Sequence, residues 1–201
     1  MLFRSSLGQA LREGGRGRLS PARLLNLPYV GYLPILLGAA GCHQLTALLH
    51  LCNAILFRRI LRRLDWPDSR ATAAAAIFLT SPWIAQATMW WSASPAVVAT
   101  LLFLAGVEFY LRSAAPGRRG AVCLAAAAGC FFLQLLFYEL WTAGVVLLAA
   151  IEMRRPGGWR GRCMRLGVAS LAGVAYAAWR LAAHHADVNQ DRKSTRLPVT
   201  Q

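Results

Sequence analysis

The stretch Ala121-Val-Cys-Leu-Ala-Ala-Ala-Ala-Gly-Cys-Phe-Phe-Leu-Gln-Leu-Leu-Phe-Tyr-Glu-Leu-Trp-Thr-Ala-Gly-Val-Val-Leu-Leu-Ala-Ala-Ile151 is 31 residues long and carries one charge, Glu139. As one straight helix it would measure about 46 Å, against a hydrocarbon core of about 30 Å. The arginines that bracket it decide how it folds. Arg112, Arg118 and Arg119 precede it; Arg154, Arg155, Arg160, Arg162 and Arg165 follow it. Basic residues stay on the cytoplasmic side during insertion, so a single crossing would strand one cluster on the wrong side. A hairpin turning at Tyr138-Glu139 puts both clusters inside. It also sets Glu139 near the outer interface, where a carboxylate costs far less than at the midplane. The two arms are short, 18 and 13 residues, which predicts local thinning of the bilayer or a re-entrant pair.

The same logic extends outward. His43 to Phe57 is a first span with Arg58, Arg59, Arg62, Arg63 and Arg70 at and beyond its basic end. Ala71 to Trp91 exits, Ser94 to Leu111 returns, and Leu166 to Ala183 exits last. The outer turns then hold no Lys or Arg, while Trp90, Trp91, Tyr138 and Trp141 sit where an interfacial aromatic belt belongs. Leu24 to Gly41 could add a crossing, but Pro28 and Pro34 weaken it as a regular helix. The expected fold is all-α, a polytopic transmembrane bundle with about six crossings.

Composition agrees. Hydrophobic residues make up 57% of the chain and charged residues 15%, too apolar for most soluble domains. The net charge of +14 is read as topology, and no nucleic-acid partner is expected; the bilayer is the first partner. Cys42, Cys52, Cys123, Cys130 and Cys163 form no CxxC pair and read as small packing residues. Ala169, Gly173 and Ala177, and the alanine-rich Ala71 to Ala76, offer faces for close helix contact.

Three regions follow: a basic segment over 1–27 without a compact apolar core, a transmembrane domain over 28–190, and a tail over 191–201. Lys193 is the chain's single lysine among 22 basic residues. It lies in Asp191-Arg-Lys-Ser-Thr-Arg-Leu197, which breaks from the Ala/Arg/Gly-rich body. The tail resembles translated sequencing adapter, so the native chain is expected to continue differently beyond Gln190, and the transmembrane domain to be truncated.

Gly41-Cys-His-Gln-Leu-Thr-Ala-Leu-Leu-His-Leu-Cys-Asn-Ala54 is the most specific motif. Its His43, Leu48, Leu49, His50, Asn53 and Ala54, followed by Arg58 to Arg63, resemble the membrane glycosyltransferases of the GT-C superfamily, in particular the protein O-mannosyltransferase-like group. Phe78-Leu-Thr-Ser-Pro82 with Trp90, Phe137-Tyr-Glu139, and Tyr176-x-x-x-Arg180 fall in the family's order. The resemblance covers about Pro28 to Ala183. It implies a GT-C-like fold and an inverting transfer of a sugar from a lipid-linked phosphate donor to a glycan, lipid or protein acceptor. The setting implied is the outer face of a bacterial inner membrane. The family's acidic residue or pair upstream of the His43 region has no match here, where the sole upstream acid is Glu13. An Arg-x-Asp after the Trp helix is replaced by Ala93-Ser-Pro-Ala96. No catalytic residue is therefore assigned, and the fragment is expected to be inactive.

The residues assigned to substrate are Glu139, Arg180, His43 and His50. Glu139 could hydrogen-bond a sugar hydroxyl, orient an acceptor or pair with Arg180, or simply sit in a solvated turn. Arg180 could grip the donor phosphate through bidentate bonds, or snorkel to the interface. His43 and His50, seven apart, share a helix face and could meet substrate or bond between helices, as could Asn53. His184 and His185 could meet substrate at the outer surface. Trp90 and Trp91 could stack on a sugar or anchor the belt. Glu108 and Glu152 are expected to pair with Arg112 and Arg155, and Asp65 and Asp68 to be solvated. No cofactor and no metal site are expected, which leaves room for a divalent metal in the full-length protein. Two other classes stay open: a polyprenyl-linked glycan flippase or polymerase, and a non-catalytic membrane protein.

Overall fold

The computed structural model describes residues 26–81, 91–137, 141–154 and 158–194. Their helices are α1 (Asn26–Arg63), α2 (Asp68–Thr80), α3 (Ser94–Arg112), α4 (Arg118–Phe137), α5 (Trp141–Arg154) and α6 (Trp159–Ser194), with a 3-10 turn at Trp91–Ala93. Among the described residues there is no strand, as the all-α reading expects. Among the described residues three stretches are long and apolar enough to cross a membrane: Tyr29–Arg63, Ser94–Arg112 and Arg118–Phe137. The expected third span ends one residue short of α3. The expected second span is helical over Asp68–Thr80, and its remainder lies outside the described residues apart from Ser81 and Trp91. The expected last span lies within α6, which runs to Ser194, past the composition change at Asp191.

Helix α1 is broken at Gly38, whose φ of 67° and ψ of 175° are not helical. A straight continuation would carry Tyr29 about 36 Å beyond Asn53. Instead Tyr29 stacks on Trp91 with ring centroids 5.1 Å apart, while Asn53 bonds the Val97 carbonyl. The chain therefore reverses at Gly38. Residues 26–37, about 18 Å of helix, are too short to cross. The prolines are not the break. Pro34 sits inside the helix, and having no N–H it frees the carbonyl four residues earlier, that of Val30. The Trp91 indole fills the gap, its Nε1–H donating to the Val30 carbonyl at 3.0 Å.

At its other end α1 stops in a Schellman turn. Asp65 takes φ 62°; its N–H donates to the Arg62 carbonyl at 3.3 Å and that of Trp66 to the Leu61 carbonyl at 3.1 Å. These bonds satisfy carbonyls the helix end would leave unpaired. Helix α2 then returns beside α1. Arg58 bridges them, Nε donating to Thr72 Oγ1 at 2.9 Å and Nη2 to Asp68 Oδ1 at 2.7 Å, so Asp68 is exposed but paired.

Pairwise contacts give every helix a direction. Arg63 meets Glu108 and Asn53 meets Val97, so α1 after Gly38 and α3 run parallel. Gly106 faces Phe131, and Gly144 faces Phe103. Helix α4 thus runs against α3 and α5 runs with it. Glu152 pairs with Arg165 at the start of α6, and Tyr176 packs on Leu135, so α6 runs with α4. The helices alternate in direction, and α4 and α5 are antiparallel; the expected turn at Tyr138-Glu139 lies outside the described residues. The arms are unequal, 20 residues in α4 and 14 in α5. At about 21 Å, α5 is shorter than the hydrocarbon core.

Helix α3 is the most buried of the three long apolar helices. Leu104, Val107, Tyr110 and Leu111 pack with Ile60, Leu124, Phe131, Leu148, Ile151 and Ala169 in the main core. Outward faces are apolar instead: Leu48, Leu51 and Ile55 on α1, Val146 on α5, Leu171 and Val174 on α6 are exposed. Thr46, His50, Asn53, Ser94, Glu108, Gln134 and Glu152 are buried. Polar inside and apolar outside is the distribution a lipid solvent favours. Of the small-residue series on α6, Ala169 and Gly173 are buried, but Ala177 is exposed and the buried face continues through Tyr176. All five cysteines are free, with only Cys42 buried.

Candidate functional site

The bundle has two unlike ends. One gathers Arg58, Arg59, Arg62, Arg63, Glu108, Arg112, Glu152 and Arg165, joined by ion pairs. At the other, Tyr29 stacks on Trp91 and meets Phe137 edge-on at 5.9 Å. The buried polar residues of α1 lie between this aromatic end and the core.

Thr46, His50 and Asn53 fall on one face of α1, at spacings of four and three. Thr46 is satisfied locally, its hydroxyl donating to the Cys42 carbonyl at 2.9 Å. His50 and Asn53 reach across to other helices. His50 Nε2 lies 3.1 Å from the Leu79 carbonyl, in the last turn of α2, where carbonyls lack an intrahelical partner. A carbonyl can only accept, so Nε2 donates to it. Nδ1 is buried and without a hydrogen-bond partner. Asn53 Nδ2 donates to the Val97 carbonyl at 3.0 Å, and its Oδ1 is likewise buried and unpartnered. His50 is 5% exposed and Asn53 1%, so bulk water does not satisfy either. Two buried polar atoms without hydrogen-bond partners therefore stand one helical turn apart. Phe78 lies beside the imidazole, centroids 5.5 Å apart, and Phe57 continues the aromatic wall.

His43 is not part of this arrangement. It sits about 10 Å further along α1 and is exposed. Arg180 lies on α6 one turn past Tyr176, which packs on Leu135 near the aromatic end; its side chain is outside the described residues, as are those of His184 and His185. Glu139 and Trp90 are outside them altogether. Trp91 is engaged by Tyr29 and Val30, which makes it a packing residue. Among the described residues no cluster of three His, Cys, Asp or Glu could hold a metal.

Glu108 pairs with Arg112 as expected, and additionally with Arg59 and Arg63. Glu152 pairs with Arg165; Arg155 lies outside the described residues. Gln134, fully buried on α4, belongs to none of the sequence motifs. A lone amide in an apolar helix is itself a signal of a buried contact.

Among the described residues, fold and site together define an all-helical arrangement with three helices long and apolar enough to cross a membrane and a buried row of hydrogen-bonding groups beneath an aromatic end. No protein family, curated protein or solved structure matches the chain.

Proposed function

We propose that this chain is the membrane-embedded part of a glycosyltransferase that draws a sugar from a lipid-linked phosphate donor and passes it to a glycan, lipid or protein acceptor. The reaction would take place at the aromatic, outer end of a six-pass bundle in a bacterial-type inner membrane. The observation that carries this reading is the pair of buried polar atoms without hydrogen-bond partners, His50 Nδ1 and Asn53 Oδ1. A sugar hydroxyl can donate or accept, and two such atoms one turn apart suit adjacent hydroxyls. Both residues belong to the Leu48-Leu-His-Leu-Cys-Asn-Ala54 motif that carries the resemblance. Glu139, Arg180 and His43 are the further substrate contacts proposed, with Arg180 on the donor phosphate. The chain's own residues bind and orient in this reading; none is assigned the base.

The test uses the full chain in phosphatidylcholine nanodiscs, loaded with polyprenyl-phosphate hexose or with polyprenyl phosphate alone. The sugar-bearing lipid is expected to be retained more strongly. His50→Leu and Asn53→Leu should each weaken it by roughly three- to tenfold, the worth of one hydrogen bond. Equal retention of both lipids, or variants that bind like the parent, would refute the reading.

The orientation has its own check. A cysteine at position 138, in a background lacking the five native cysteines, should react with an impermeant thiol reagent added outside intact cells. Labelling only after lysis would reverse the proposed topology.

A further inference from the structure

The two buried carboxylates at the basic end are matched very differently. Glu152 receives Arg165 as a fork, with both carboxylate oxygens engaged: Arg165 Nη2 donates to Oε2 at 2.6 Å and Nε to Oε1 at 3.2 Å. Glu108 takes three arginines on a single oxygen. Arg63 Nε and Arg112 Nη2 each lie 2.8 Å from Oε1, and Arg59 Nε lies 3.4 Å from it. One negative charge thus draws three positive ones together, leaving an excess of two. Beside it Arg58 and Arg62 share Asp68, adding one more uncompensated charge.

Like charges held this close repel unless an anion joins them, and they repel more where lipid lowers the dielectric. The Glu108 side chain is 6% exposed, whereas those of Arg59, Arg63 and Arg112 are 57%, 40% and 35% exposed. The carboxylate is buried behind them, and the guanidinium groups present outward. Arg59 and Arg63 spend Nε on Glu108, which leaves the Nη groups, the pair suited to phosphate oxygens.

The apolar surface leading to this cluster says which anion fits. Leu48, Leu51 and Ile55 are exposed on α1, and Arg59 follows at the same helical spacing, four residues on. An acyl chain lying along this stripe would bring its phosphate to Arg59. We infer that the Arg59–Arg63–Arg112 cluster, gathered by Glu108, is a binding site for the phosphate headgroup of an anionic phospholipid. The inference does not depend on the glycosyltransferase reading.

The full chain is reconstituted in phosphatidylcholine nanodiscs with or without phosphatidylglycerol, and lipid retained after release is counted by native mass spectrometry. Phosphatidylglycerol is expected to be enriched over phosphatidylcholine. Arg59→Gln should weaken its retention about fivefold, the worth of one arginine at a lipid surface, and a further Arg112→Gln about fivefold again. Arg59 is the most exposed of the three, so its variant keeps the fold. Arg70→Gln removes an exposed charge of the same end outside the cluster and should leave retention unchanged. Three results would overturn the site: no preference for phosphatidylglycerol, an equal loss in Arg70→Gln, or inorganic phosphate displacing the lipid as well as phosphatidylglycerol does.

Discussion

Gly106→Ala is expected to destabilise the bundle by about 1–3 kcal/mol, the usual cost of overfilling a packed core, measured by unfolding in mixed micelles. A Cβ at Gly106 would stand 2.6 Å from Phe131 Cε1 and 2.8 Å from Cδ1. Phe131 is fully buried and has Phe103 at its side, centroids 6.0 Å apart, so the ring cannot swing aside. Helices α3 and α4 must separate instead. In lipid that separation is costly for a particular reason. Hydrocarbon outside is as apolar as the core, so helices hold together through close packing rather than expulsion from water. Losing contact distance therefore removes the principal attraction. Two comparisons test this cause. Gly129, on the same helix as Phe131, has open space within 4 Å of the position its Cβ would take, so Gly129→Ala should be neutral or stabilising by up to about 1 kcal/mol through helix propensity. Phe131→Leu should recover part of the loss in the Gly106→Ala background while costing stability alone, a coupling expected only of residues in contact. Additive effects would show that Gly106 acts elsewhere.

Much of this arrangement was legible from charge and apolarity alone. The arginine clusters required alternating passes, and the contacts between Gly106 and Phe131, Gly144 and Phe103, and Glu152 and Arg165 give α3 to α6 the alternating directions. The 31-residue apolar stretch supplies two antiparallel helices, α4 and α5, as the charge rule asks, while the turn expected at Tyr138-Glu139 lies outside the described residues. Backbone detail was less legible. Prolines are the visible helix breakers, so Pro28 and Pro34 drew attention; Gly38 breaks α1 because only glycine tolerates its φ of 67° cheaply. Pro34 is absorbed because a residue 57 positions away, Trp91, fills the carbonyl it frees, a tertiary fact with no local signature. The candidate site divides along the same line. His50 and Asn53 are marked in the sequence as polar residues in an apolar run. Their partners, Leu79 and Val97, are backbone carbonyls that any residue could supply. Nor does spacing reveal that His43, on the same face as His50, is exposed while its neighbour Cys42 is buried.

Glu152→Gln is expected to destabilise the bundle by about 3–5 kcal/mol, more than Glu108→Gln, although Glu108 gathers three arginines. The number of partners is a poor guide; what matters is where the charges go when a partner is lost. Arg165 has its side chain 18% exposed and Glu152 2%, so the fork is largely shut away from water. Removing the carboxylate's charge leaves a guanidinium held beside Tyr110 with no counter-ion. Its hydrogen bond to Glu152 raises its pKa above the ordinary arginine range. That rise is lost with the carboxylate, but a guanidinium stays protonated at working pH in any case, so Arg165 cannot escape by shedding its proton. The three arginines on Glu108 are 35–57% exposed. They can turn outward once released, so the loss there should be nearer the 0–1 kcal/mol of an exposed pair. A second comparison separates charge from shape. Glu152→Leu with Arg165→Met removes both charges together and should recover most of the loss, because an apolar pair of similar volume often replaces a buried ion pair without penalty. If the double variant is as unstable as Glu152→Gln, the pair serves to hold α5 against α6 in register, and its geometry rather than its electrostatics is what the fold requires.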